Sequence, residues 1–67
     1  MKDYGLIARE KRQRLELSQK EVAKKAGCHP RTVRAFENDE HKIGLDYVIA
    51  IYKVLGLKLV VEGEKNE

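Results

Sequence analysis

The sequence predicts an all-α fold of four short helices, followed by one short C-terminal strand. Three observations carry this. Apolar and small residues recur at three- and four-residue spacing through most of the chain. Helix-start and helix-stop residues punctuate it at Asp3, Ser18, Gly27, His29-Pro30 and Gly56. Only the stretch from Leu57 to Glu62 alternates with a period of two.

Asp3 can cap a first helix running to about Leu15, with Tyr4, Ala8, the stem of Lys11 and Leu15 at helical spacing and Leu6 and Ile7 widening the stripe. Ser18-Gln19-Lys20-Glu21 reads as a capping box: the Ser18 hydroxyl accepts from the third amide while Glu21 reaches back. That second helix continues to Ala26 and stops at Gly27. The pair His29-Pro30 opens a third, because proline at the first helical position wastes no donor and keeps the preceding residue out of α geometry. The third helix ends near Asn38, and Asp39 to Gly44 form a polar connection. The fourth runs from about Leu45 to Leu55, with Gly56 as its stop. Beyond it, Leu57, Leu59 and Val61 share one face of the strand, and residues 63–67 read as a frayed tail.

At 67 residues and 7.7 kDa the chain is one domain, near the lower limit for independent folding. One cysteine excludes an intrachain disulfide, and Cys28, His29 and His41 lack the paired spacing of a zinc site. No metal or cofactor is expected, and a partner chain is the remaining aid to stability. No apolar run approaches the ~20 residues of a membrane span, and Met1-Lys2-Asp3 does not begin as a signal peptide does, so a cytoplasmic protein is expected. No nucleophile–base pair or phosphate loop is present, and the length leaves no room for a pocket, which argues against an enzyme.

Charge is unevenly placed. Residues 1–34 hold ten Lys/Arg against four acids, giving +6, whereas residues 35–67 hold four lysines against seven acids, giving −3. Basic charge gathered on one part of a small fold suits a polyanionic partner, although a solvated helical surface would look similar.

The middle of the chain is more specific. Counting from Gln19, Ala23 is fifth, Gly27 ninth and Val33 fifteenth. Ala23 falls where two helices would cross and must be small. Gly27 permits the positive φ of the turn. Val33 packs back under the preceding helix, with Val22, Ala26 and Phe36 completing a small core. Small, glycine and β-branched residues at these offsets form the helix-turn-helix pattern, a constraint that a generic helical hairpin does not need.

Leu17-Ser18-Gln19, Glu21-Val22-Ala23, Ala26-Gly27, Thr32-Val33, Phe36-Glu37-Asn38, Leu45-Asp46 and Leu55-Gly56-Leu57 together resemble the XRE/phage-repressor helix-turn-helix family over about residues 4–57. Ala23-Lys24-Lys25, Phe36-Glu37-Asn38 and the terminal strand are most similar to HipB-type antitoxins. The resemblance implies a repressor-like DNA-binding domain over residues 1–56, a dimerisation strand over 57–62 and a flexible tail over 63–67. It further implies a cytoplasmic homodimer that represses its own operon on double-stranded DNA and binds a HipA-like kinase toxin. A phage or mobile-element regulator without a toxin would share this chemistry. A different class, a protein-interaction module of the same fold, is favoured by the acidic second half and Pro30 and opposed by Arg31, Arg34 and the +6 first half.

On this reading the third helix enters a major groove with His29, Pro30, Arg31, Thr32 and Arg34 as base-reading candidates. Ala35 is expected to face outward one turn later and offer an apolar contact. Pro30 departs from the polar reader usual in the family and offers only apolar contact to a base. Ser18, Gln19 and Lys42 form the phosphate-binding set: Gln19 sits where free amides and the positive helix end favour an anion, and Ser18 doubles as the cap. Asp39 and Glu40 are a second departure, two acids in a connection usually glycine-containing and basic. The resemblance also implies a structural ion pair between Arg12 and Glu37. Cys28 is expected to act as a small apolar residue in the turn. A lone exposed strand invites pairing, so Leu57, Leu59, Val60 and Val61 are the dimerisation residues. The apolar residues of helix 4 cover more than one face, and a C2 dimer on a palindromic operator follows.

Overall fold

The computed structural model describes residues 3–40 and 42–58. It contains four helices, α1 (Tyr4–Arg14), α2 (Gln19–Ala26), α3 (Pro30–Glu37) and α4 (Leu45–Val54). α2 lies at the centre, packed on α3 and on α4, and α1 packs on α3. The core joins Ala8, Val22, Ala23, Val33, Ile51, Tyr52 and Leu55, with Leu17, Ala26, Cys28, Phe36 and Leu57 among its half-buried rim. Among the described residues no helix is long and apolar enough to cross a membrane.

Helix starts follow side-chain chemistry. The Leu6 amide donates to the Asp3 carboxylate at 2.9 Å. In α2 both arms of the capping box close: the Glu21 amide donates to the Ser18 hydroxyl at 3.0 Å, and the Ser18 amide to the Glu21 carboxylate at 2.7 Å. The bond from the Ser18 amide, then that from its hydroxyl, holds the Glu21 carboxyl below its ordinary range. This contribution to stability is therefore complete above the ordinary pKa of a glutamate. It is lost as pH falls below it, through the lowered folded value.

All four helices end in the same way. Glu16, Gly27, Asp39 and Gly56 have φ of 59, 78, 57 and 72°, the left-handed region. Each is followed by an amide that reaches back five residues: Leu17 to Arg12, Cys28 to Ala23, Glu40 to Ala35 and Leu57 to Tyr52, at 3.1, 3.0, 3.0 and 2.8 Å. This is the Schellman closure, and the residue after the left-handed one tucks inward. Leu17, Cys28 and Leu57 accordingly pack against the core.

Two of these positions are not glycine. Left-handed geometry costs an L-residue about 1–2 kcal/mol, more than the roughly 0.5–1 kcal/mol of chain entropy that glycine adds. Glu16→Gly should thus stabilise the fold by about 0.5–1 kcal/mol, raising Tm by several degrees in a thermal melt. An unchanged or lowered Tm would show that Glu16 carries no such strain.

The structure corrects the expected inner face of α1. Tyr4, Leu6, Ile7 and Leu15 are 38, 42, 44 and 45% exposed; of the expected stripe Ala8 is buried, and Gly5, which was not in it, is buried beside it. A Cβ built on Gly5 would stand 2.1 Å from the Phe36 carbonyl oxygen, so α1 meets α3 backbone to backbone and the larger residues are displaced from the seam. The Tyr52 hydroxyl then pins the start of α1 to α4, donating to the Tyr4 carbonyl oxygen at 2.8 Å.

The strand expected from Leu57 onward is not present at Leu57 and Lys58, which have no regular secondary structure. Leu57 is instead committed to closing α4. Leu59, Val60 and Val61, the rest of the strand to Glu62, the tail over 63–67 and His41 lie outside the described residues.

Candidate nucleic-acid interface

α3 is eight residues long, and its environment decides which of its side chains can meet a ligand. Val33 and Glu37 turn inward and are buried, Thr32 and Pro30 are half-buried, and Arg31 and Arg34 are exposed. Arg31 and Arg34 are three residues apart, hence neighbours on one outward stripe. Ala35 does not join them. Its exposure is 2%, and the Glu40 amide, after the chain folds back at Asp39, donates to the Ala35 carbonyl oxygen. The outward apolar contact expected of Ala35 is therefore withdrawn.

His29 caps the helix: its Nδ1 accepts from the Arg31 amide at 3.0 Å. A backbone amide can only donate, so Nδ1 carries the lone pair and the exposed Nε2 is left to present the proton of the neutral ring. Pro30 occupies the first helical position. The turn that precedes this helix is held by Gly27 and by Cys28, whose thiol is pushed up in pKa by burial and behaves as an apolar plug.

The far end of α3 is anchored by charge. Glu37 receives Arg12 Nε at 2.7 Å and Nη2 at 3.0 Å, a bidentate pair whose side chains are 2% and 12% exposed respectively. Arg12 Nη1 donates to the Leu17 carbonyl oxygen at 2.8 Å. Gln19 Nε2 donates to Glu37 Oε1 at 3.0 Å. The Glu37 carboxylate thus ties α1 and the first residue of α2 to the end of α3, and its partner Arg12 adds the α1–α2 connection through Leu17. Among the described residues no buried side-chain polar atom lacks a partner.

This geometry qualifies the phosphate-binding set. The Ser18 hydroxyl is occupied by its cap, and the Gln19 side chain is half-buried against Glu37. What these residues keep for an anion is the start of α2 itself, with the Gln19 amide group oriented by the carboxylate behind it. Lys42 is exposed in the connection ahead of α4. The Gln19–Glu37 bond was not legible in the sequence, since the two residues are 18 apart and neither type demands the other.

A family model for the helix-turn-helix matches residues 9–61, most of the chain. The chain belongs to the XRE helix-turn-helix family. As a member of this family it is a DNA-binding transcription regulator. Comparison with curated proteins and with solved structures gave no match. Within this helix-turn-helix protein α2 and α3 are the paired helices, Gly27 sits at their turn, and the Arg31–Arg34 stripe is the solvent-facing side of the second.

Proposed function

We propose that this helix-turn-helix protein is a sequence-specific transcriptional repressor that acts as a homodimer on a palindromic operator. We assign it as the antitoxin of a HipA/HipB-like toxin–antitoxin operon, working in the cytoplasm without catalysis of its own. The observation that carries the DNA reading is the exposed Arg31–Arg34 stripe on a helix fixed at both ends, by the His29 cap and by Glu37. A rigid helix of this width fits the major groove, and an arginine fork meets guanine O6 and N7 together. His29 would offer its Nε2 proton to a base or phosphate acceptor, Thr32 a hydroxyl and Pro30 an apolar edge. Ser18, Gln19 and Lys42 would set the register on the phosphates. The dimer is supported by the apolar sequence Leu59, Val60 and Val61 that follows the closure of α4, and the antitoxin assignment by the resemblance of Ala23-Lys24-Lys25, Phe36-Glu37-Asn38 and the terminal segment to HipB-type antitoxins.

Binding of the protein to its own promoter and to a scrambled duplex, followed by fluorescence anisotropy across a salt series, tests this. Promoter binding should be the tighter and should weaken linearly with the logarithm of salt. Arg31→Ala should lose about 10- to 100-fold of the discrimination, which corresponds to the roughly 1–3 kcal/mol of one bidentate base contact. Equal binding to both duplexes would leave a protein-interaction module as the reading instead. The antitoxin part is tested separately, by whether the adjoining gene encodes a kinase and whether that kinase co-elutes with this chain.

A further inference from the structure

His29 holds the start of α3 with one ring nitrogen and keeps the other for solvent or a ligand. Nδ1 accepts from the Arg31 amide at 3.0 Å, and the residue is exposed. Asparagine, aspartate and serine are the preferred residues for this capping work, and histidine is not among them. A cap explains the Nδ1 bond but gives no reason for an imidazole. What the ring adds is Nε2, across the ring from the helix amides, carrying the proton that the cap denies to Nδ1.

A free neutral histidine exchanges tautomers, so its Nε2 can either donate or accept. Capped, it can only donate. Nor is the capped ring a cation, since a second proton would have to sit on Nδ1, where the Arg31 amide donates. A neutral donor is a weaker partner for a phosphate than the charged arginines beside it, whereas on a base edge its direction and sign carry information. The neighbouring residues have the same sign. Pro30 has no amide proton, Arg31 and Arg34 are exposed and can only donate, and the Thr32 hydroxyl belongs to a half-buried residue. The exposed acids Asp39 and Glu40 lie past the other end of the helix. Base edges are unequally matched to a row of donors. In the major groove guanine presents two acceptors, N7 and O6, and no donor. Cytosine presents its amino donor, adenine one acceptor beside one donor, and thymine one acceptor beside a methyl group.

We propose that His29 is a specificity-determining residue of this protein: its cap bond fixes it as a donor, and that donor reads the N7 of a guanine in the operator. The proposal rests on the DNA reading above and gives one position of that site its base and its atom.

Selection of tight-binding duplexes from a randomised pool, with wild type and His29→Ser in parallel, tests it. Serine keeps the cap through its hydroxyl and removes Nε2. Wild type should require guanine at a position that His29→Ser leaves free, with the rest of the selected sequence the same. Placing 7-deazaguanine at that position removes N7 and leaves the pairing edge intact. In anisotropy titrations it should weaken wild type about 5- to 10-fold, the worth of one hydrogen bond, and leave His29→Ser unchanged. The four affinities form a double-mutant cycle, so any contact that an arginine makes to the same atom cancels. The modified duplex also leaves the protein untouched, so the loss cannot come from misfolding. His29→Ser selecting the wild-type sequence with wild-type affinity would make His29 a cap alone and overturn the proposal. Equal weakening of the variant on every duplex would overturn it in favour of a phosphate contact. An equal loss from 7-deazaguanine in both proteins would assign N7 to another residue. A wild type that prefers no sequence would overturn the DNA reading itself, a result distinct from the other three.

Discussion

Glu37→Ala is expected to unfold most of the protein at 25 °C. The substitution leaves the Arg12 guanidinium, 12% exposed, facing the space its carboxylate occupied, with only the Leu17 carbonyl oxygen as a partner. Breaking a buried pair from one side costs about 3–5 kcal/mol, because the remaining charge stays desolvated without compensation. A domain of this length has only about 3–10 kcal/mol in total, so the loss is comparable with the whole. Gln19 loses its acceptor in the same step. Urea melts followed by far-ultraviolet circular dichroism would read the change as a lowered midpoint at unchanged slope. The companion variant Arg12→Met with Glu37→Leu removes both charges and fills the space with apolar volume. It should regain most of the stability, since a buried ion pair is seldom worth more than a well-packed apolar replacement. A Glu37→Ala midpoint within about 1 kcal/mol of wild type would mean that water reaches Arg12 and that the pair is a surface feature. The two variants also separate stability from DNA binding. The double variant folds but lacks the carboxylate that orients Gln19, so a change in its salt dependence would trace to the start of α2.

The features legible in the sequence were those in which a residue type has one physical use. Gly27 and Gly56 are placed where only glycine is unstrained, and Ser18 with Glu21 at the spacing that closes a cap in both directions. Pro30 after His29 marked the start of α3 for the same reason. Val22, Ala23 and Val33 could be assigned to the core because helix crossing limits their size. Illegible were the places where geometry overrides type. Glu16 and Asp39 take the left-handed geometry usually left to glycine, held there by the inward pull of Leu17 and the backward turn of Glu40. Ala35 is buried although the helical pattern turned it outward, a burial no local pattern announces. On α1, hydrophobicity pointed to Leu6, Ile7 and Leu15 as the inner face. The helices approach too closely for any of them, and of the expected stripe Ala8 is buried, joined at the seam by Gly5.

That last reversal gives a prediction in which two principles disagree in sign. Inside an exposed helix, Gly→Ala gains about 1 kcal/mol, because alanine loses less backbone freedom on folding. At Gly5 the opposite is expected. The added Cβ would stand 2.1 Å from the Phe36 carbonyl oxygen, 3.1 Å from the Phe36 carbonyl carbon and 3.2 Å from the Glu37 Cα, all backbone atoms of α3. None of them can swing aside as a side chain would, so α1 has to back away by more than an ångström. Overpacking of this kind costs about 1–3 kcal/mol in a rigid core. Here the displacement also acts on Arg12, which lies on the same buried line two turns along α1 and whose bidentate contact with Glu37 depends on where that helix sits. The combined cost exceeds the gain in propensity, and Gly5→Ala should lower stability by about 2 kcal/mol or more. Gln13→Ala, on the exposed side of the same helix, serves as the control and should be neutral or slightly stabilising. Gly5→Ala equal to or more stable than wild type in the same urea melts would mean that α1 does not rest on the backbone of α3. The exposure of Leu6, Ile7 and Leu15 would then need another cause.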